Sequence, residues 1–472
     1  MATTKTTVGD IDPEVLRFTA GEDRTWDREL VEADCIGTAA HVVMLSRMDV
    51  DPPVIGTGEC DAVIEALKDI IRADRAGKFR ISEQDQDVHL AVERRLTREL
   101  GDTGRRVHTG RSRNDQSAVD LRLYTKRELL ELLSETARLA GTLLDWGRER
   151  RDVPMPGRTH MQPAMPSSLG LWASAFAEGL LDDLDLLMHV YGTNDRCPLG
   201  AAASYGVPLP LDRELTSRLL GFSSPVHNVL HANHTRGKLE SLVLAALSQV
   251  MLTVSRLSQD LMLFTMPELG YVQLPDDFCT GSSIMPQKRN PDVLELVRAR
   301  TAGVLSAAGS AAEIMRGLPS GYNRDVQESK GALIKGLADT RACVRILQPL
   351  IAGMREDRDA LLRGFTPGIF ATDRALELVG EGVPFREAYR RVRRELRELD
   401  GRDPEEAVKI KDHAGAPAGL DWKVYRKRVR AAERFVRNHT TAFNDAVSDL
   451  LKAPWPELAP QSGDRKGAGK GV

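Results

Sequence analysis

Residues 280–292, T-G-S-S-I-M-P-Q-K-R-N-P-D, concentrate polar side chains that could handle an anion. Gly281 permits backbone angles that are closed to other residues, so it allows the segment to move. Ser282 and Ser283 offer hydroxyl groups, and Lys288 adds a compact positive charge. The segment therefore predicts a mobile loop that binds a carboxylate or stabilises negative charge.

The same segment contains a signal for the start of a helix. Asn290 suits the N-cap, Pro291 the first helical position and Asp292 the first turn. The positive end of this helix would face the loop and favour an anion there. An ordinary polar loop that leads into a helix is the alternative interpretation.

Long apolar patterns further along the chain predict the helices that position this loop. Apolar residues from Val119 to Leu144 recur at three, four and seven spacings, and the stretch from Leu239 to Phe264 is apolar on nearly every face. A helix that is apolar on nearly every face must be surrounded by protein. A third long helix is predicted from Pro291 to Met315, so the centre of the chain is expected to be a long-helix bundle.

The length of 472 residues predicts two or three domains. We expect an N-terminal helical domain over residues 1–112, with short helices broken near Pro52 and Gly56, and a central bundle over 113–365. Residues 366–472 are expected to form a smaller helical domain, in which the basic segments 390–397 and 423–430 are exposed helix faces and the last dozen residues are disordered.

Charge and cysteine content restrict the class of protein. The 65 Lys and Arg residues nearly balance the 68 Asp and Glu residues, so no nucleic-acid partner or membrane surface is expected. The five cysteines lack metal-ligand spacing, which favours a reduced cytoplasmic setting. We expect no secretory signal, and we expect no membrane span because no segment approaches the run of about 20 apolar residues that a span requires.

Three segments together carry a family resemblance. They are residues 280–292, residues 108–116 (H-T-G-R-S-R-N-D-Q) and residues 156–162 (P-G-R-T-H-M-Q). The set resembles the signature of the fumarase/aspartase superfamily of fumarate-releasing lyases, and Gln287 before the lysine is similar to the argininosuccinate lyase branch. The resemblance implies a mainly α fold of three helical domains with a central long-helix bundle. It also implies a homotetramer in which the three segments meet from three subunits.

The activity implied by the resemblance is a β-elimination that splits argininosuccinate into arginine and fumarate. Because negative charge accumulates beside a carboxylate, such a site needs donors and cations, and we expect neither a metal nor a cofactor. Another fumarate-releasing lyase and a non-catalytic, crystallin-like relative are the alternatives.

By resemblance, Ser282 is the general base and His160 serves in acid-base chemistry or a proton relay. Ser283 would orient the loop, although the residues alone make the two serines equally plausible. Which group protonates the leaving nitrogen stays open. The resemblance also implies the following substrate-binding residues: Asp27, His89, Arg113, Asn114, Thr159, Arg236, Lys288, Asn290, Tyr322, Gln327 and Lys330.

Several of these residues have a structural alternative. His89 could be a histidine on a helix surface, and Arg236 could form a plain salt bridge. Residues 108–116 could simply cap a helix, with Arg111 and Asp115 joined as an ion pair. Arg158 stands where a tyrosine is more usual, and residues 18–30 match the family loosely and lack its serine, with Asp27 as the best counterpart of an arginine-binding aspartate.

Overall fold

The computed structural model describes residues 5–6, 9–10, 12–82 and 85–458, most of them in α-helices. The mainly α fold is confirmed. The predicted disorder of the last dozen residues concerns positions outside the described residues.

The N-terminal helices are longer than the sequence predicted. The chain does break around Pro52 and Gly56, but the flanking helices have 17 and 19 residues, because the prolines are confined to the connection between them. The elements here are β1 (Lys5–Thr6), β2 (Gly9–Asp10), α1 (Pro13–Ala20), α2 (Asp23–Trp26), a 3-10 turn (Asp27–Leu30), α3 (Val31–Arg47), α4 (Thr57–Arg75), α5 (Val88–Leu100) and α6 (Asp102–Arg106).

A bundle of long helices forms the centre of the chain, as predicted. Its long members are α7 (Arg113–Glu149), α8 (Leu169–Asn194), α11 (Lys238–Phe264), α12 (Asp292–Met315) and α13 (Ser329–Gly353); the shorter α9 (Arg213–Leu219) and α10 (Val229–His234) lie between them in sequence. Helix α7 packs on α8 and α13, and α11 packs on α12. The apolar periodicity therefore identified the bundle helices correctly.

Ser112 and Asp115 fix where α7 begins. The Ser112 hydroxyl accepts a hydrogen bond from the Asn114 amide at 3.2 Å, and Asp115 accepts one from the Ser112 amide at 2.8 Å. This reciprocal capping box satisfies amides that the first turn leaves without partners. Ser112 is therefore the N-cap of α7.

Short strands connect the helices at their ends. Strands β3 (Pro154–Thr159) and β4 (Gln162–Ser168) form an antiparallel hairpin between α7 and α8. Two further pairs are β5 (Arg196–Cys197) with β6 (Ser224–Pro225), which is parallel, and β7 (Val272–Gln273) with β8 (Arg355–Glu356), which is antiparallel. The 3-10 turns Asp276–Phe278 and Arg324–Glu328 precede α12 and α13.

The C-terminal region has a small core of its own and a long helix that returns to the bundle. Its elements are α14 (Arg358–Arg363), a 3-10 turn (Pro367–Phe370), α15 (Ala371–Gly380), α16 (Phe385–Arg394), a 3-10 turn (Leu396–Leu399), α17 (Pro404–Lys409) and α18 (Trp422–Leu451). Residues such as Phe370, Leu378 and Val392 form the small core, whereas α18 packs along α7 and α8. Val392 and Val429 are buried beneath the basic faces of α16 and α18, as expected for amphipathic helices.

Helix α11 differs from the expectation that no segment is long and apolar enough to span a membrane. By length and composition alone it could cross a membrane, and 56% of its most apolar window is buried inside the structure. A core helix of a bundle acquires the same composition for a different reason, since its neighbours cover most of its faces.

A buried lysine fastens α7 to α18. Lys126 lies 2.5 Å from the carboxylate of Asp195 and also donates to the carbonyl of Gly221. The rings of Phe222 and Phe443, the second on α18, stand 4.9 and 5.5 Å from its ammonium group. The cation is thus held by a carboxylate and by aromatic faces.

We expect Lys126→Ala to lower the free energy of unfolding by about 3–5 kcal/mol, because it leaves the Asp195 carboxylate buried without its partner. Urea unfolding at fixed protein concentration measures the change. Lys452→Ala is the matched control, since it breaks only an exposed pair with Asp61 and should change little. Equal effects of the two substitutions would contradict the analysis.

Candidate active site

The candidate residues lie at two ends of the bundle. Helices α11 and α12 run antiparallel: Arg298 near the start of α12 contacts Met262 near the end of α11, while Met315 at the end of α12 lies against Gly237. The loop of residues 280–290 therefore lies at one end, which we call the loop end. Arg236 and Tyr322 lie at the other.

Helix α7 also runs from one of these ends of the bundle to the other. Arg122, in its first third, donates to the Thr235 hydroxyl at 2.9 Å, and Trp146 near its end donates to the Met354 carbonyl at 3.0 Å. Arg113 and Asn114 thus share an end with Arg236, which we call the cap end. The β3–β4 hairpin, which follows the last turn of α7, belongs to the loop end.

The loop of residues 280–290 is closed at its base. Thr280 and Asn290 exchange two backbone hydrogen bonds, at 3.1 and 2.8 Å, and the Asn290 side chain donates to the Gly281 carbonyl at 3.2 Å. The prediction that Asn290 is an N-cap is therefore wrong. Its backbone amide donates to the Thr280 carbonyl at the base of the loop. Helix α12 begins at Asp292, with Pro291 in the cap position.

Within the loop, backbone amides converge on Ser282. Its Oγ accepts hydrogen bonds from the amides of Ile284 at 3.3 Å and Met285 at 3.1 Å. Two donors aimed at one oxygen stabilise negative charge on that oxygen. Lys288 is exposed and lines a cavity of about 470 Å³ together with Asn290. The loop thus gathers a hydroxyl, amide donors and a cation.

The tip of the β3–β4 hairpin carries His160. His160 and Met161 have positive φ angles of 51° and 64°, which form the two-residue turn between Thr159 and Gln162. Thr159 and His160 are exposed. The turn therefore presents both predicted site residues to solvent at the loop end.

Arg158 fastens this hairpin. Its guanidinium donates to the Met161 carbonyl and to the Tyr271 hydroxyl, each at 3.0 Å. The first bond closes the turn and the second joins it to the segment after α11. The unusual arginine therefore has a structural role beneath His160.

Arg113 and Asn114 occupy the first turn of α7 at the cap end. Arg113 lies 3.3 Å from the carboxylate of Asp87 and keeps 43% of its side chain exposed. A partly exposed guanidinium beside one carboxylate has donors left for a second anion.

The predicted ion pair between Arg111 and Asp115 is replaced by separate contacts. Arg111 donates to the Thr38 hydroxyl at 2.9 Å. Asp115, besides its capping bond, accepts from the amides of Gly200 and Ala202 at 3.0 and 2.8 Å. Asp115 is therefore held by backbone amides of a distant segment instead of by Arg111. The local sequence does not reveal this contact.

His89 is buried, so the alternative of a helix-surface histidine is wrong. Its Nδ1 lies 2.6 Å from Asp34 and 3.5 Å from Asp120, and Gln116 donates to Asp34 at 2.7 Å. Burial alone would lower the pKa of His89, but the hydrogen bond to Asp34 and nearby carboxylates outweigh it and raise the pKa. Burial, followed by the charge of Asp34, raises the pKa of Asp120 well above its usual range.

Among the described residues, the side chains of this buried cluster are of the types that could bind a metal ion. One donor atom each from Asp34, His89 and Asp120 lies within 4.8 Å of the others. Two ligands of one tetrahedral ion stand about 3.3 Å apart, however, which exceeds the 2.6 Å between His89 and Asp34. That spacing fits a proton, and we interpret the cluster as a hydrogen-bonded network.

Asp27 and Lys330 meet in the structure, although 303 positions separate them in sequence. Asp27 has a side chain that is 1% exposed; it accepts from Lys330 at 2.6 Å and from the Val88 amide at 3.0 Å. Lys330 also lies 3.1 Å from Asp23. Two predicted binding residues thus form a buried ion pair with each other.

The remaining candidates line the neighbouring surface at the cap end. Arg236 is buried beside Glu240 at 3.7 Å, and burial raises the pKa of this glutamate. Arg236 and Tyr322 line a cavity of about 210 Å³. Gln327 donates to the Thr19 carbonyl at 3.1 Å, which joins the start of α13 to the end of α1.

Sequence reasoning missed Asp23 and Trp26. Both line a cavity of about 770 Å³ that also contains Gln327. They fall within residues 18–30, where the match to the family pattern is weakest. The signal that could have found them is the combination of acidic and aromatic side chains in residues 22–26, E-D-R-T-W.

Comparison with solved structures gives the class of fold. An EDDS lyase variant with bound fumarate matches with a TM-score of 0.76 at 22% identity, over 94% of this chain and 96% of that chain. A class II fumarase from Schistosoma mansoni matches with a TM-score of 0.67 at 15% identity, over 97% and 100%. The chain therefore has the fold of the fumarase/aspartase superfamily of lyases.

Sequence comparison narrows the class to a family. Residues 20–305 match a family model described as Lyase. Argininosuccinate lyase of Sorangium cellulosum is 45% identical over 412 residues, 87% of this chain and 95% of the relative. Argininosuccinate lyase of Phocaeicola vulgatus is 41% identical over 382 residues, 81% and 85% of the two chains. The chain belongs to the argininosuccinate lyase family.

Arg158→Ala should loosen the hairpin tip, because it removes the bonds to Met161 and Tyr271. We expect faster amide hydrogen exchange over residues 157–163, measured by mass spectrometry, with little change in α7. Arg358→Ala, an exposed arginine on α14, is the control. Unchanged exchange in the Arg158 variant would show that other contacts hold the turn.

Asp120→Asn should stabilise the fold increasingly as pH rises. A carboxyl group with a raised folded pKa stabilises the fold at low pH, and this contribution is lost as pH rises from its unfolded value towards its folded value. Asparagine stays neutral throughout. The free energy of unfolding of the variant, minus that of the parent, should therefore increase between about pH 5 and about pH 8.

Urea unfolding at each pH measures this difference. Asp359→Asn, an exposed carboxylate on α14, supplies the control and should give a flat difference. A flat difference for Asp120→Asn as well would contradict the interpretation that burial raises the pKa of Asp120.

Proposed function

We propose that this chain cleaves argininosuccinate into arginine and fumarate. Family membership supplies the reaction class, and the observation that carries the assignment is the convergence of two backbone amides on the Ser282 hydroxyl inside the loop that bears Lys288. The setting is proposed to be the cytoplasm, in which the five free cysteines would stay reduced.

The proposed first step is removal of a proton from the succinyl carbon beside a carboxylate. Ser282 acts as the base, since the Ile284 and Met285 amides stabilise its oxygen as an anion. The developing charge on the substrate carboxylate is offset by Lys288, and Asn290 donates a hydrogen bond from the loop base. No metal or organic cofactor enters this sequence of proton transfers.

The second step breaks the bond between the succinyl carbon and nitrogen. The electron pair left by the proton forms the carbon–carbon double bond of fumarate, and the nitrogen leaves with the bonding pair and accepts a proton. His160, at the exposed hairpin tip, is proposed to take part in proton transfer there. Thr159 would hold a carboxylate through its hydroxyl.

Helix lengths support a site shared between subunits. Helix α12 has 24 residues, which is about 36 Å, and it separates the loop of Ser282 from Tyr322, Gln327 and Lys330. Helix α7 has 37 residues, about 55 Å, and separates Arg113 and Asn114 from the hairpin of His160. One substrate cannot touch both ends of one chain, so we propose that chains combine their opposite ends in a homotetramer.

The outward faces of α11 and α12 support that assembly. Leu242 and Leu252 of α11 are 39% and 46% exposed, and Leu296 and Leu305 of α12 are 55% and 39% exposed. Small residues such as Gly303 lie between these leucines on the open side of α12. Close packing of the same helices from other copies would cover this apolar surface.

Ser282→Ala should reduce turnover by at least about a thousandfold while substrate still binds, because the base is lost and the cations remain. Fumarate release, followed by ultraviolet absorbance, measures turnover, and calorimetry measures binding. Ser283→Ala is the matched control and should keep most activity. Near-normal turnover by the Ser282 variant would refute its role.

The direct assay also separates the alternatives. Fumarate release from adenylosuccinate or malate, with none from argininosuccinate, would identify another lyase. Binding of arginine and fumarate without turnover would favour a non-catalytic relative.

Mixing two inactive variants tests the shared site. Ser282→Ala and Asn114→Ala alter opposite ends, so random reassembly after dissociation should give intact sites in about a quarter of positions. Activity should return only after mixing under dissociating conditions. No recovery, with subunit exchange confirmed by mass, would contradict the shared site.

A further inference from the structure

We propose that Tyr205 is a positioning residue for Tyr322, and that Asp115 holds the turn that carries Tyr205. Residues 200–206, which we call the Tyr205 turn, lie between β5 and α9. The inference rests on the proposed function, in which Tyr322 contacts substrate at the cap end. Tyr205 takes no part in the bond-breaking steps and acts through Tyr322.

The backbone of the Tyr205 turn has an uncommon conformation. The φ angles of Gly200, Ala202, Ser204 and Gly206 are 84°, 51°, 84° and 77°, so every second residue lies in the left-handed region. Alanine and serine rarely adopt such angles, because their Cβ atoms crowd the neighbouring carbonyl. The surrounding structure must therefore hold the turn, and backbone strain of this kind concentrates at functional sites.

Asp115 holds the turn from the start of α7. Its Oδ2 accepts hydrogen bonds from the amides of Gly200 at 3.0 Å and Ala202 at 2.8 Å, while its Oδ1 accepts from the Ser112 amide. Amides of alternating residues that face one side form a concave cradle for an anion. Burial raises the pKa of Asp115 to about 6, so at neutral pH the carboxylate is ionised and these bonds are charge-assisted. The turn is thereby fixed to the helix start that carries two of the predicted binding residues.

Arg213 braces the same turn. Its guanidinium donates to the carbonyls of Leu199 at 3.2 Å and Val226 at 2.8 Å. A Cβ atom at Gly200 would lie 2.8 Å from the side chain of Arg213, so only glycine leaves room for this contact. Gly200 is therefore held both by Asp115 and by Arg213.

The turn places Tyr205 against the segment that leads into Tyr322. Tyr205 is 73% exposed, and a Cβ atom at Gly321 would lie 3.2 Å from its hydroxyl oxygen. Gly321 has a φ angle of 90°, and its amide donates to Nε2 of His234 at 3.2 Å. Two side chains therefore contact the residue immediately before Tyr322.

Tyr322 depends on these contacts for its own position. It is 38% exposed, and with Arg236 it lines the cavity of about 210 Å³. Its hydroxyl has no hydrogen-bond partner among the described residues. The position of its ring therefore follows from the backbone at Gly321, which Tyr205 and His234 support.

Tyr205→Ala should raise the KM for argininosuccinate about five- to tenfold with less than about a twofold change in kcat, because Tyr322 loses its fixed position for binding. The midpoint of urea unfolding should shift by less than about 0.3 M, since Tyr205 is exposed. Tyr389→Ala is the matched control, because Tyr389 is a 50% exposed tyrosine on α16. It should keep the KM of the parent.

A double-mutant cycle with Tyr322→Ala separates positioning from direct contact. If Tyr205 acts through Tyr322, Tyr205→Ala should raise KM by less than about twofold in the Tyr322→Ala background. Effects on KM that multiply would overturn the inference, because Tyr205 would then act independently of Tyr322.

Asp115→Asn tests what holds the turn. Asparagine keeps the shape of the side chain but loses the charge that two amides share, so amide hydrogen exchange should become faster over residues 200–206 and 319–323. Ser112→Ala disturbs the same helix start and leaves the bonds from Gly200 and Ala202 in place, so both segments should exchange as in the parent. Parent-like exchange in Asp115→Asn would contradict the role of Asp115.

Hydrogen exchange also tests the contact of Tyr205 without turnover. Tyr205→Ala should speed exchange over residues 319–323, where the Gly321 amide loses its support, and Tyr389→Ala should not. Unchanged exchange in the Tyr205 variant would overturn the inference. If exchange rises as expected but the parent releases no fumarate from argininosuccinate, the proposed reaction fails while the positioning of Tyr322 stands.

Discussion

The length of the bundle helices is the constraint on which the rest of this structure depends. A hydrogen-bonded helix is a rod with a fixed rise per residue, so α7 and α12 hold their two ends several turns apart. The hydroxyl and ammonium groups of the Ser282 loop are fixed at one end, and the ion pairs around Lys330 and Arg113 at the other. Side-chain flexibility cannot bridge that distance. In the proposed tetramer, the same rigidity would position each half of a site accurately for a neighbouring chain.

The two ends differ in how they are built. At the cap end, buried networks hold ionisable side chains in place: Asp27 with Lys330, and His89 with Asp34 and Asp120. Each partner would be costly to bury alone, so these networks fix the local geometry. At the loop end the functional groups are exposed and depend on a paired base, Thr280 with Asn290, and on a hairpin fastened by Arg158. In the proposed function, the preformed electrostatic region at the cap end would complement the exposed groups at the loop end.

Much of the fold could be predicted because local sequence determines it. Apolar periodicity from Val119 to Leu144 identified the middle of α7, which extends from Arg113 to Glu149, and α12 begins one residue after its predicted start. The α3 and α4 helices were underestimated, since proline and glycine mark a break but not the length of the helix on either side. For the site, the family motifs supplied candidate residues, among them Ser282 and His160, whose roles remain proposals.

The sequence by itself determined the helical fold class, the membership of a lyase family and the residues that could carry charge. Only the tertiary structure decided that His89 is buried, that Asn290 closes a loop instead of capping a helix, and that Asp27 is occupied by Lys330 while Asp23 faces a cavity. The physical reason is the separation along the sequence over which each interaction acts. Helix periodicity and capping act over a few residues, whereas an ion pair between positions 303 residues apart exists only when packing brings two distant helices together.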